Sequence, residues 1–369
     1  MNRLFRWDQM GLFLLALAAG ILPFAVPEVC AAALREGLTL CSGPLLLSLF
    51  PFLVVSRLLI QCPESDLLAL PFRLAAWGIG IRTPCAARVL CIGFLGGFAP
   101  AASAAAQAVR TGQLTAEEAD ALLPACICSG PSFVVLTVGQ SLLGSAELGV
   151  LLFASQITAN YLTAALLNRF AGVRSVKLGS AAPASPAPPR LDEILADAAI
   201  TYCKLCGFIL FFRMLAAGAG ALLPADAGTL CSILLEVCSG CDLASRTGRW
   251  GSLLCCAALS VQGLSVLLQV RTICPPEMTL RPLYRARLLH LPLSLALFYL
   301  LLPGGEADVF STLPARVLLM RRVPPDCALL VFAVCCMAVC TLRSGIRQVE
   351  QKQMARNAGG CCINSKTLL

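Results

Sequence analysis

The sequence predicts an all-α polytopic membrane protein with about eight spanning helices and two re-entrant hairpins in an inverted repeat. Three observations carry this. Of 369 residues, 58% are hydrophobic and 13% are charged, with mean hydropathy +0.82, and a soluble domain carries about twice that charged fraction. Apolar, nearly uncharged segments close to the length that crosses a bilayer recur along the chain. The basic residues behind the net charge of +8 are mostly Arg, in short clusters between those segments, which reads as membrane orientation rather than nucleic-acid binding.

Taken in order, Arg3 and Arg6 precede an apolar run over 9–27. It is long for a signal peptide, and Glu28 follows without a small-x-small cleavage site, so region 1–39 is read as a retained first membrane helix, about 9–34. Further spans are expected at about 40–61, 122–143, 147–170, 194–223, 250–270, 288–303 and 326–342. The stretch 66–83, with Arg73 and Arg82, is too charged to cross and is placed along the interface. Two apolar segments are interrupted: 84–110 by Gly93, Gly96, Gly97 and Pro100, and 227–245 by Ser239 and Gly240. Both are read as hairpins that enter and leave on one side. A Pro- and Ala-rich linker (171–193) and a basic tail (343–369) are solvated connectors, and 304–342 holds a loop and the last membrane helix.

With a cytoplasmic N-terminus, threading the spans puts 20 Lys and Arg at the inner side and 6 outside (Arg35, Arg246, Arg249, Arg316, Arg321, Arg322), with Lys204 and Arg213 inside a span. The bias favours this orientation, with both termini cytoplasmic. It also makes the first hairpin open from the cytoplasmic side and the second from the opposite side. Each hairpin is followed by a span broken in its middle: by Cys128, Ser129, Gly130, Pro131 and Ser132 in one case, by Gln262, Gly263 and Ser265 in the other. The result is an inverted repeat, 40–170 and 194–303, of the kind that binds solute at the membrane midplane. A broken helix leaves unpaired N–H and C=O groups that need partners in hydrocarbon, and a solute or ion can be that partner. The competing structural reading is that Gly and Ser simply let membrane helices pack closely.

The candidate solute-binding residues follow: Gly96, Gly97, Ser129, Gly130, Pro131, Ser132, Lys204, Glu236, Ser239, Gly240, Gln262, Gly263, Ser265 and Gln269. An intramembrane cation such as Lys204 is costly enough to mark function, or it pairs with Glu236 or Asp197, or it snorkels. Arg213, nine residues on, projects from the opposite face. Glu236 suits a coupling cation or a substrate donor, or else caps the half-helix after it. Ser129, Ser132, Ser265, Gln262, Gln269 and Asn160 offer neutral hydrogen bonds, which more often join helices.

Enzyme chemistry has little support: the lone His290 removes His-based metal centres, and there is no phosphate loop, GxGxxG or GxSxG. Most of the 21 cysteines lie in apolar segments as small hydrophobes. The CxxC spacings at Cys203/Cys206 and Cys238/Cys241 are what a cysteine-rich chain produces by chance. No metal or cofactor is expected beyond a coupling cation of unspecified identity, and the partners are the lipid bilayer and a small polar solute, not nucleic acid. The oligomeric state is left open.

The run 93–100 (GFLGGFAP), then Gly112 to Ala119, then Ser129-Gly130-Pro131-Ser132-Phe133-Val134 and Thr137-Val138-Gly139 resembles the YlbJ-like sporulation integral membrane proteins. Leu235 to Gly240, Gly263-Leu264-Ser265 with Gln269, and Arg287-Leu288-Leu289-His290 extend the resemblance over roughly 40–303. These proteins carry the nucleoside-recognition, or Gate, domain. The resemblance implies a fold related to concentrative nucleoside transporters, a place in the mother-cell-derived forespore membrane, a part in making the spore cortex, and movement of dipicolinate across that membrane. One departure stands out: relatives carry a Gly-Tyr-Pro-x-Gly-Ala-Lys-like signature in the first hairpin, whereas 97–103 here reads GFAPAAS. The leading expectation is a secondary transporter of a small anionic solute. The alternatives are a cation-coupled nucleoside transporter and a non-transporting scaffold for cortex assembly, for which alanine at Ser129, Ser265 or Glu236 is silent.

Overall fold

In the computed structural model residues 2–171 and 191–302 are described, and their regular structure is helical throughout. The expected loop and span at 304–342, the basic tail and most of the linker lie outside them. The chain opens with α1 (Asn2–Ala25) and α2 (Pro27–Ser42), bent by 110° where Pro27 starts the second helix. Proline lacks an N–H and disfavours the helical conformation in the residue before it, so the apolar run expected as one helix over 9–34 is split at Val26. Next come α3 (Pro44–Gln61) and the short α4 (Leu70–Gly78).

Two helical pairs follow. The first is α5 (Pro84–Gly96) and α6 (Phe98–Arg110), joined at Gly97 alone. The second is α7 (Ala116–Cys126), opened by a capping box of Thr115 and Glu118, and a π-helix (Ser132–Leu142). The long α8 (Ala146–Ala171) closes this half. After the linker come α9 (Leu191–Leu222), the pair α10 (Ala225–Leu235) and α11 (Val237–Ser245) joined at Glu236, then α12 (Gly251–Val261) and α13 (Gly263–Ile273) joined at Gln262, and finally α14 (Arg281–Leu301).

Among the described residues three helical stretches are long and apolar enough to cross a membrane: α8, α9 and Gly248–Ile273. The bent α1–α2 pair makes a fourth if it is one span. The described residues are thus helical, with three to four segments long and apolar enough to cross a bilayer. The main core, to which α5, α6, α7, α8, α12 and α14 contribute, is rich in alanine and cysteine, among them Ala101, Ala104, Ala105, Ala108, Cys126, Cys255 and Cys256. Small side chains bring backbones close, which is how helices gain contact where lipid supplies no hydrophobic drive.

Charged groups pin the helices where apolar packing cannot. Asp197 of α9 pairs with Arg57 of α3, and sixteen residues on, about 24 Å along the helix, Arg213 pairs with Glu36 of α2 at 2.7 Å. Arg88 of α5 donates to the Ile60 carbonyl at 2.8 Å, closing the last turn of α3, and to Gln113 Oε1 at 2.7 Å. A cation at a helix C-terminus is stabilising. Asp120 of α7, 6% exposed, accepts from Thr279 N (2.8 Å), Thr279 Oγ1 (2.7 Å) and Leu280 N (3.1 Å), and so anchors the start of α14. An Asp120→Ala variant leaves these donors buried without an acceptor. It is expected to lose about 3 kcal/mol, read as a lowered thermal midpoint in detergent or nanodiscs.

Candidate functional site

The two short helical pairs and the two broken helices meet tip to break. At the first junction Gly97 has φ +81 and ψ −163, a conformation open in practice only to glycine. A Cβ there would lie 2.7 Å from Gly130 N and 3.0 Å from Gly130 Cα. The α5–α6 tip is therefore seated directly on the backbone between α7 and the π-helix. At the second junction the roles reverse. Gly263, φ +69, lies in the broken helix, and its Cβ would stand 2.9 Å from Glu236 N and from Leu235 O, the tip of the α10–α11 pair. One glycine per junction does the same work from opposite partners.

The junctions also exchange neighbours. The second arm of the first pair, α6, packs against α13, and the second arm of the other, α11, packs against the π-helix. Four half-helix N-termini, those of α6, the π-helix, α11 and α13, thus belong to one seam, and each presents a partial positive charge and N–H groups with no acceptor within its own helix backbone.

Glu236 answers that charge at the second junction. It is 2% exposed, and its carboxylate accepts from Cys238 N (2.8 Å), Ser239 N (2.7 Å) and Ser239 Oγ (2.9 Å). This is a helix cap, one of the two roles its sequence position allowed. Three of about four lone-pair positions are used. At the first junction neither 93–100 nor 127–133 contains an acidic residue, and the α6 and π-helix N-termini have no side-chain cap.

The break at Gln262 is strained as well. Gln262 is a non-glycine residue at φ +65, 1% exposed, with Nε2 donating to Leu259 O at 3.1 Å and Oε1 without a partner. On α13, Gln269 Nε2 donates to Ser265 Oγ at 2.8 Å, and its Oε1 is likewise buried and unpartnered. The buried hydroxyl of Ser103, on the α6 helix that α13 packs against, has no partner either. Backbone strain and unmet hydrogen bonds thus occur together at the second break.

A cavity of about 530 Å³ lies beside the second tip, lined among others by Glu36, Arg213, Thr229, Ser232, Ser239 and Asp242. Ser239 joins it to Glu236. The volume is in the range of small-molecule pockets.

Of the residues singled out from sequence, Gly96, Gly97, Ser129, Gly130 and Pro131 sit at the first junction, with Ser132 exposed at the start of the π-helix. Glu236, Ser239, Gly240, Gln262, Gly263, Ser265 and Gln269 belong to the second junction and the arms beside it. Lys204 is exposed, and no hydrogen bond or ion pair connects it to either junction among the described residues; Asp197 is held by Arg57 instead. The α9 cation that reaches the second pair's cavity is Arg213. The CxxC cysteines lie within α9 and α11, unbridged.

The binding residues expected from sequence leave out Arg287 and His290, noted there only for the resemblance and the lone histidine, and Gln156; the three form a buried network behind both breaks. His290 Nε2 lies 3.2 Å from Gln156 O, and Gln156 Nε2 donates to Ser260 Oγ at 2.9 Å. The available signal was an Arg and the single His three residues apart on one helix. Compared with known proteins, the chain matches no family model, no curated protein and no solved structure.

Proposed function

We propose that the chain is a multi-pass membrane carrier of a small anionic solute, dipicolinate by its resemblance to the YlbJ-like proteins, acting in the forespore membrane during spore maturation. The observation that carries this reading is the pair of tip-on-break junctions with exchanged neighbours. The segments α3–α8 and α9–α14 each run through a helix, a tight helical pair, a broken helix and a closing helix in the same order, the first with the short α4 inserted after its opening helix. Read with the charge bias of the loops, they form an inverted repeat, with about eight spans in all and both termini cytoplasmic.

Electrostatics supports an anion. At the second junction Glu236 matches the α11 N-terminus, while the α13 N-terminus there and the two at the first junction have no side-chain cap, so an anionic group of the solute completes the set. Glu236, with one lone-pair position to spare, is the place for a coupling cation. The unpartnered Oε1 atoms of Gln262 and Gln269 favour the second reading, a nucleoside, whose base N–H groups would satisfy them.

Uptake of labelled dipicolinate and labelled uridine into proteoliposomes separates these readings. The carrier reading expects saturable dipicolinate uptake that excess unlabelled uridine does not reduce, and uridine uptake alone would reverse the assignment. Because Lys204 is exposed and joins neither junction, Lys204→Gln is expected to leave uptake within about twofold of wild type, as for a surface substitution.

A further inference from the structure

Arg287, on α14, is 8% exposed, and among the described residues no carboxylate forms an ion pair with it. An unpaired buried guanidinium is expensive, so something else must neutralise it. Its Nη2 donates to Ile127 O at 2.9 Å and to Asn160 Oδ1 at 3.3 Å, and its Nη1 donates to Ser260 O at 3.4 Å. Ile127 is the residue that ends α7, and Ser260 lies in the last turn of α12. These are the first halves of the two broken helices. Because both helices stop in mid-course, their last carbonyls have no N–H ahead of them.

We infer that Arg287 is the counter-charge of both breaks, a positioning residue that holds the carbonyl ends of α7 and α12 on one guanidinium. The magnitudes agree. Each helix C-terminus carries roughly half a negative charge, so the two ends together match the single positive charge of Arg287 and no acid is needed. A planar guanidinium with five donors in a fixed fork can serve carbonyls from two helices at once, which an ammonium does less well. Asn160 of α8 braces the arrangement, donating through Nδ2 to the same Ile127 carbonyl at 3.3 Å. Arg88 likewise binds the carbonyl end of α3, although it also pairs with Asp66 at 3.1 Å.

This goes beyond the carrier reading and stands without it, because its test needs no flux. Cys128, the residue after Ile127, is 1% exposed and reports on the first break. The full chain in nanodiscs is treated with a maleimide, and the labelled cysteine is located by peptide mass spectrometry. Wild-type Cys128 is expected to be protected. Arg287→Met, which keeps bulk and removes charge, is expected to label at Cys128 at least ~10-fold faster through local opening, with Arg287→Lys in between. Moving the charge to the neighbouring helix, Asn160→Lys combined with Arg287→Met, is expected to restore protection toward the Arg287→Lys level, since an ammonium there reaches the same carbonyl. A role in packing alone predicts no such rescue. Protection of Cys128 in Arg287→Met equal to wild type, or a double variant as open as the single one, overturns the inference. If Arg287→Met is not recovered folded, recovery of folded double variant is the readout, and its failure overturns the inference equally.

Discussion

A Gly97→Val variant is expected to lose transport altogether and to be destabilised by roughly 3 kcal/mol or more. The two causes are separate and additive in direction. The backbone at φ +81, ψ −163 is closed to a β-branched residue, and the new Cβ would press on Gly130 N at 2.7 Å, which is backbone and cannot swing aside. The tip must lift off the break, parting the α6 and π-helix N-termini. Gly112→Ala is the control: its φ is +70, but nothing lies within 4 Å of the added Cβ. It is expected to cost about 1 kcal/mol with uptake intact. Thermal unfolding and proteoliposome uptake on the two variants separate backbone strain from loss of the junction.

The second large effect is expected at Glu236. Alanine there leaves Cys238 N, Ser239 N and the Ser239 hydroxyl without their acceptor, a loss of about 2 kcal/mol for a buried cap. Serine, asparagine and aspartate are the residues favoured as caps, so a buried glutamate points to a use for its reach and charge. Glu236→Asn is therefore the informative variant: it keeps a cap while removing the charge. Expected are a thermal midpoint near wild type and uptake that no longer depends on a cation gradient. Unchanged cation dependence would remove Glu236 from coupling and leave it a cap alone.

Much of the helical layout is legible because it follows from strong local rules. Gly97 and the Gly130–Pro131 pair interrupt apolar runs, and in the structure each is a helix boundary; the run at 84–110 ends on the same residues as α5 and α6. Where two rules compete, sequence reading errs. Hydropathy over 9–34 reads as one helix, but Pro27 breaks it. Lys204 stands out as a cation in an apolar run, yet which face of a 32-residue helix is buried depends on its neighbours, and the buried and exposed faces of α9 are not distinguished by its composition. The ion pairs of Arg57 with Asp197 and Arg213 with Glu36 span 140 and 177 residues, and no spacing rule reaches that far. Arg287 is hidden for a different reason. Two of its three partners are backbone carbonyl oxygens, which every residue carries, so no side-chain pattern betrays them.

Hydrogen–deuterium exchange of the nanodisc-embedded protein, with and without dipicolinate, tests most directly that solute is held at the two tip-on-break junctions. The half-helix N-termini carry amides with no intrahelical acceptor, and a bound anion should slow their exchange. Protection is expected in peptides covering 96–99 and 128–132 at the first junction and 262–265 at the second, and it is lost in Gly97→Val. Dipicolinate-dependent protection elsewhere in the chain with none at these three stretches would contradict the account.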